Sequence, residues 1–280
     1  MPMQIDAHHH FWRYDPIQYP WIDEAKSRLK RDFLPEHLTA EIAPLGMDGV
    51  VSVQARQTLE DTRWLLDLAE QNEFIRGVVG WAPLVSPRVA DELGPLAERK
   101  KLKAVRHVLQ DEPDPEFMLR PEFDNGIRAL ARFGLAYDLL ILERQLPQAI
   151  RLVDRHPSQP FVVDHIAKPR IGEAILSPWR ENIRELARRP NVYCKLSGMA
   201  TEADWQRWTP EQLRPYCEVV LEAFGPRRTM FGSDWPVCLL ACGYRQWHEV
   251  ASDFIAALSS AEQQQIKGET AIAAYRLAAS

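Results

Sequence analysis

Cysteine is scarce in this 280-residue chain: Cys194, Cys217, Cys238 and Cys242 are the whole set, and no two have the two-residue gap of a zinc knuckle or redox motif. They read as free thiols, and a reducing, cytoplasmic setting is expected. Glycine is sparse as well: none of the 13 residues falls in a G-x-G-x-x-G pattern, which argues against a doubly wound dinucleotide-binding sheet. No apolar run approaches the roughly 18 residues of a membrane span. The opening MPMQIDAHHHFW lacks the basic stretch and apolar core of a secretory signal, so neither a membrane partner nor export is expected. Nor is there an excess of one charge: 34 basic against 39 acidic side chains leave a net charge of -5, which disfavours nucleic acid as a partner.

What is present is the balance of a soluble globular protein, 46% hydrophobic and 26% charged. Short β-rich runs alternate with segments of helical periodicity. The candidate strands are 3–8 (MQIDAH), 49–55 (GVVSVQA), 76–82 (RGVVGWA), 102–108 (LKAVRHV), 135–141 (LAYDLLI), 160–166 (PFVVDHI), 191–197 (NVYCKLS) and 229–235 (TMFGSDW). Most are nearly continuous apolar runs, the pattern of parallel strands covered on both faces by helices. Helical spacing marks 59–72, 123–134, 144–156 and 178–190, with further helices in 246–260 and 261–277. The 21 prolines fall mostly in connections, and no linker interrupts the array. Eight strand–helix units predict an α/β fold, a (β/α)8 TIM-type barrel forming a single domain over residues 1–280.

Barrel enzymes keep their chemistry at the carboxyl ends of the strands. Strand one ends in Asp6-Ala7-His8-His9-His10, and side chains two apart share a face, so His8 and His10 are expected to point into the barrel mouth while His9 points away. Strand six ends in Val163-Asp164-His165 and strand eight in Gly232-Ser233-Asp234-Trp235-Pro236. Three histidines and an aspartate at one rim are residue types that move protons or hold a Zn²⁺-like ion. A histidine or aspartate at one strand end is by itself more often structural. The combination carries the reading.

The ordered set IDAHHHFW, VVDHIAKP and MFGSDWP resembles the strand-one, strand-six and strand-eight motifs of the amidohydrolase, or metal-dependent hydrolase, superfamily, and the resemblance runs over essentially the whole chain. With YPWI at 19–22 and VYCKLSG at 192–198 it is more similar to the amidohydrolase-related branch of sugar-acid lactonases, L-fuconolactonase-like and L-rhamnonolactonase-like. The chain departs from metal-rich members in lacking a strand-four lysine or glutamate and a strand-five histidine. Arg106 stands at the end of strand four instead, and its charge would oppose a binuclear centre. The resemblance thus implies a barrel that requires no cofactor as the first expectation, with one divalent ion, such as zinc, on His8, His10, His165 and Asp234 as the variant.

The implied reaction is opening of an aldono-1,4- or 1,5-lactone to the aldonate. Asp234 would serve as general base, His8, His10 and His165 would orient the water or polarise the carbonyl, and Arg106 would bind the developing oxyanion. Gln54, Trp81, His107, Trp235 and Trp12 are the candidate sugar-binding residues, since lactone hydroxyls and ring faces suit planar hydrogen bonders and indoles. Packing competes as the reading for each aromatic, Trp21 above all. Lys168, Lys195 and Ser197 divide evenly between the mouth and structural pairing, and Asp138 between the site and a turn cap. The partner is a small sugar lactone, and the sequence does not fix an oligomeric state. The alternatives are a dicarboxylate lactonase of aromatic catabolism, a metal-dependent decarboxylase and a non-catalytic binding barrel.

Overall fold

A computed structural model describes residues 2–278. Eight parallel strands stand side by side in chain order: β1 (Ile5–His9), β2 (Gly49–Val53), β3 (Ile75–Gly80), β4 (Leu102–Val108), β5 (Ala136–Leu140), β6 (Phe161–Val163), β7 (Val192–Leu196) and β8 (Thr229–Phe231). A bridge between His9 and Trp235 joins the last connection to the first strand and nearly closes the barrel. The helices are α1 (Pro35–Ile42), α2 (Leu59–Gln71), α3 (Val89–Ala97), α4 (Pro121–Arg132), α5 (Leu146–Arg155), α6 (Trp179–Ala187), α7 (Pro210–Phe224), α8 (Tyr244–Phe254), α9 (Ser260–Gln264) and α10 (Thr270–Tyr275). The TIM-type barrel expected from the apolar runs is therefore the fold. All four cysteines are buried and unbridged, and among the described residues no helix is long and apolar enough to cross a membrane.

Two apolar layers follow from the strand periodicity. Outward-facing residues such as Val50, Val78, Val105 and Leu139 pack beneath the helices, while Ile5, Ala7, Val51, Val53, Ala104, Val162 and Met230 fill the barrel. The inner cluster continues into Ala271, Ala274, Tyr275 and Leu277, so the C-terminal helix α10 plugs the bottom of the barrel. A π-helical turn, Gln265–Glu269, links α9 to α10 and lets the chain pass close to β1. A Cβ on Gly268 there would stand 1.9 Å from the Met3 carbonyl oxygen, so only glycine fits.

Three strands differ from their sequence reading at the functional end. β6 stops at Val163 and β8 at Phe231, not at 166 and 235, because both chains turn inward just before the rim. In β1 the register shifts: Asp6 pairs with Val50 and His9 with Ser52, so Ala7 and His8 together face one residue. That β-bulge changes the parity of the strand. Ile5 and Ala7 face inward as core, and after the bulge His8 and His10 face inward as well.

Candidate active site

The bulge creates amides without sheet partners, and Asp6 takes them up. Its Oδ1 accepts from the His8 amide at 3.0 Å and the Ser233 amide at 2.9 Å, while Oδ2 accepts from the Tyr244 hydroxyl of α8 at 3.0 Å. Burial raises the Asp6 pKa to about 6 against these hydrogen bonds. The β8 connection is tied to β1 by Asp234 N–H donating to His8 O and His10 N–H to Trp235 O, both at 2.7 Å. Asp234 itself sits at φ 57 in this turn.

After β6 the chain takes four successive left-handed residues, His165, Ile166, Ala167 and Lys168, with φ between 46 and 60. Such backbone is costly for residues with a Cβ, and it recurs where a functional side chain must be aimed. The indole of Trp179 donates to Ile166 O at 2.8 Å and holds the turn. Gly198, at φ +63, leaves the room this turn needs, since a Cβ there would lie 2.5 Å from His165 Nδ1.

Each of the three histidines is held through Nδ1. His10 Nδ1 donates to Val53 O at 2.8 Å, His165 Nδ1 meets Ser197 Oγ at 2.9 Å, and His8 Nδ1 faces Asp164 Oδ1 at 3.3 Å. Their Nε2 atoms are thereby turned on one point: Asp234 Oδ1 lies 3.7 Å from His8 Nε2, 3.5 Å from His10 Nε2 and 3.8 Å from His165 Nε2. His8 and His10 Nε2 are 3.2 Å apart. Ligands about 2.0–2.1 Å from one tetrahedral ion stand roughly 3.4 Å from one another, so the spacing of His8, His10 and Asp234 suits a single divalent ion, while His165 falls in an overlapping group with His8 and Asp164. His9, by contrast, faces outward and meets Ser52 Oγ at 2.9 Å.

The electrostatics agree with that donor set. Burial lowers the His165 pKa to about 4 against the attraction of Asp234 and Asp164, and it lowers that of His8 well below its ordinary value. Burial pushes the Asp234 carboxyl up, but His165, His10 and Lys168 outweigh it and leave the pKa below the usual carboxylate value. At neutral pH the cluster therefore presents an ionised carboxylate among imidazoles, of which His8 and His165 are neutral.

The cluster forms the floor of a cavity of about 810 Å³ whose wall includes His10, Gln54, Arg56, Arg106, Leu140, His165, Lys168 and Asp234. Trp21, Trp205 and Glu202 complete its upper part. Arg106 is anchored by Asp164 Oδ2 at 3.0 Å and Gln54 O at 2.6 Å. The Arg56 loop is braced by Asp61, whose Oδ2 accepts from the Ala55 and Arg56 amides at 3.1 and 3.2 Å.

Of the expected site residues, His8, His10, His165, Asp234, Arg106 and Gln54 come together. Four aromatic candidates lie outside the cavity wall. Trp12 is wholly buried, its indole donating to Arg31 O at 2.9 Å, and Trp235 packs edge-on against Phe33 at 5.2 Å. Trp81 donates toward His107 Nδ1 at 3.4 Å, and His107 is stacked on Phe117 with Nε2 2.6 Å from Glu112 Oε1. His107 faces outward because it adjoins inward-facing Arg106 on β4. Trp21, read as packing, lines the cavity instead. Sequence reasoning gave Asp164 no role, although its place two residues after inward-facing Val162 marks it as inward-facing too. Trp205 and Glu202 lie in the connection after β7, where no periodicity identifies them.

A buried histidine–carboxylate cluster at the carboxyl rim of a parallel barrel defines a class, the hydrolases that activate water at such a centre. Residues 5–277 match the family model described as Amidohydrolase, and the chain belongs to that family. It is 40% identical over 288 residues to an L-fucono-1,5-lactonase of Burkholderia multivorans, covering 98% of this chain and 96% of that protein. Two crystal structures of an amidohydrolase from the same organism superimpose closely. The one with bound HEPES has a TM-score of 0.95 at 39% identity, covering 99% of this chain and 100% of that one. The one with bound zinc has a TM-score of 0.94 at 38% identity with the same coverage.

Proposed function

We propose that this protein hydrolyses a sugar-acid lactone of the L-fucono-1,5-lactone kind to its aldonate. The observation that carries the reading is the convergence of three Nδ1-anchored imidazoles on Asp234 Oδ1 at the floor of a polar-walled cavity. The 40% identity to an L-fucono-1,5-lactonase supports the choice of substrate. Asp234 takes a proton from water as that water attacks the lactone carbonyl. The ring C–O bond then breaks, and Asp234 returns the proton to the departing ring oxygen, leaving a free hydroxyl and a carboxylic acid that gives up its proton to solvent. A divalent ion held by His8, His10 and Asp234, with His165 as the further donor facing Asp234 at 3.8 Å and in keeping with the zinc-bound relative, would polarise the carbonyl and acidify the water.

Arg106 and Gln54 serve the substrate oxygens. Both line the cavity, and among the described residues the buried Arg106 Nε and Gln54 Oε1 have no hydrogen-bond partner. A dicarboxylate would need cations free to meet it. Each cation on this wall already has a carboxylate: Lys26 with Asp23 at 2.6 Å, Arg56 with Asp61 at 3.5 Å, Arg106 with Asp164 at 3.0 Å and Lys168 with Glu202 at 3.4 Å. That favours a neutral, hydroxylated substrate.

The test is acid release from a panel of aldonolactones, including L-fucono-, L-galactono-, D-arabinono- and L-rhamnono-lactone, by protein of determined metal content before and after chelation. Hydrolysis fastest on the L-fucono and L-galactono compounds, lost on chelation and restored by Zn²⁺, is the expected result. Silence across the panel with zinc bound would sink the lactonase reading.

A further inference from the structure

Directly beneath the Nε2 cluster lies a charged layer almost sealed from water: Arg106, Asp138, Asp164 and Lys195. Lys195, on β7, is its hub. Its Nζ stands 2.6 Å from Asp138 Oδ2 on β5, 2.9 Å from Asp164 Oδ1 and 3.2 Å from His8 Nδ1. Asp138 Oδ2 also accepts from the Tyr275 hydroxyl at 2.8 Å, and the ammonium sits 5.4 Å from the centre of the Tyr275 ring. Lys195, Asp138 and Tyr275 are fully or nearly fully buried and absent from the cavity wall, so none of them meets substrate.

The layer connects two otherwise separate parts of the molecule. At its upper side Asp164 Oδ1 faces His8 Nδ1, the atom that sets which way His8 Nε2 points. At its lower side Tyr275 belongs to α10, the helix that plugs the barrel. Without the ammonium, Asp138 and Asp164 would be two buried carboxylates facing one space, and their repulsion would drive Asp164 from its place against His8.

We propose that Lys195 is a positioning residue for the ion site. Its ammonium, wedged between Asp138, Asp164 and His8, fixes Asp164 against His8 Nδ1 and so aims His8 Nε2 at the ion, with Tyr275 holding the far carboxylate. The inference rests on the one-ion reading of the cluster. It does not depend on which lactone is the substrate.

The experiment is Zn²⁺ affinity by competition with a chromophoric chelator for wild type, Lys195→Met and Tyr275→Phe, each checked for folding, with kcat and KM for the best lactone alongside. Partners of metal-binding histidines are typically worth about 10- to 100-fold in metal affinity, and Lys195→Met is expected to weaken Zn²⁺ binding by that much. It should lower kcat while leaving KM nearly unchanged, a split that a merely structural lysine would not produce. Tyr275→Phe should weaken Zn²⁺ binding in the same direction by less. A folded Lys195→Met protein with wild-type Zn²⁺ affinity overturns the proposal. Should that variant fail to fold, wild-type affinity in folded Tyr275→Phe overturns it instead. A wild-type protein that takes up no Zn²⁺ overturns it together with the one-ion reading, whereas lactone hydrolysis by that same protein would leave the lactonase reading standing.

Discussion

At Asp234 two opposed effects meet. Burial favours the neutral acid, while the neighbouring imidazoles and Lys168 favour the carboxylate, and the second influence prevails. The same burial keeps His165 neutral, with a pKa pushed down to about 4. An anion beside the deprotonated imidazoles of His8 and His165 is the state required both of a proton acceptor and of a metal-binding donor set. Asp234→Asn keeps the shape and removes the proposed acceptor, so kcat should fall by about 10³-fold or more with the circular dichroism unchanged. More than a tenth of wild-type activity in that variant would remove Asp234 from its role. His8, His10, His165 and Asp234 were legible as chemistry-bearing residues at strand ends. The indoles of Trp12 and Trp235 were not assignable in the same way, because a side chain beyond the last ladder pair takes its direction from the turn rather than from strand alternation.

At the scale of elements, the site depends on departures from regular structure. The β1 bulge brings His8 to the inner face, and the left-handed turn after β6 aims His165. Asp6 couples the bulge, the Asp234 turn and α8 through one carboxylate. Tyr244→Phe deletes one hydrogen bond to that buried group and should cost about 1.5–3 kcal/mol, the range for bonds to charged partners, read as a lower urea midpoint. An unchanged midpoint would show that α8 does not brace the bulge. The strand and helix positions were readable from apolar spacing. The shortened β6 and β8 were not, because VVDHI and MFGSDW stay apolar enough to read as strand past the point where the chain turns in.

For the whole molecule, the proposed ion site links binding to folding. The donors come from β1 and from the connections after β6 and β8, segments distant in the chain, so an ion held between them stabilises the assembled barrel and not the unfolded chain. At free Zn²⁺ about 100 times Kd the gain is roughly 2.7 kcal/mol, which for a protein of this size raises Tm by about 5 °C. Chelated protein melting at the same temperature as zinc-loaded protein would mean that the cluster does not hold the ion in the native state. The layer below adds its own constraint. Removing one member of a buried ion-pair network typically costs about 3–5 kcal/mol because a charge is left alone.

What the sequence by itself determined is the parallel barrel and the strand order along the chain, since both follow from local periodicity; it marked His8, His10, His165 and Asp234 as candidates, but their aim comes from the β1 bulge and the turns after β6 and β8. Tertiary structure alone decided the rest. Lys195 finds Asp138, Asp164 and Tyr275 only once β5, β6, β7 and α10 are assembled, and Trp21 and Trp205 reach one cavity from loops far apart in the chain. Pairings of that kind leave no local pattern, because the energy of a buried charge or of a cavity wall depends on neighbours that the chain supplies only by folding.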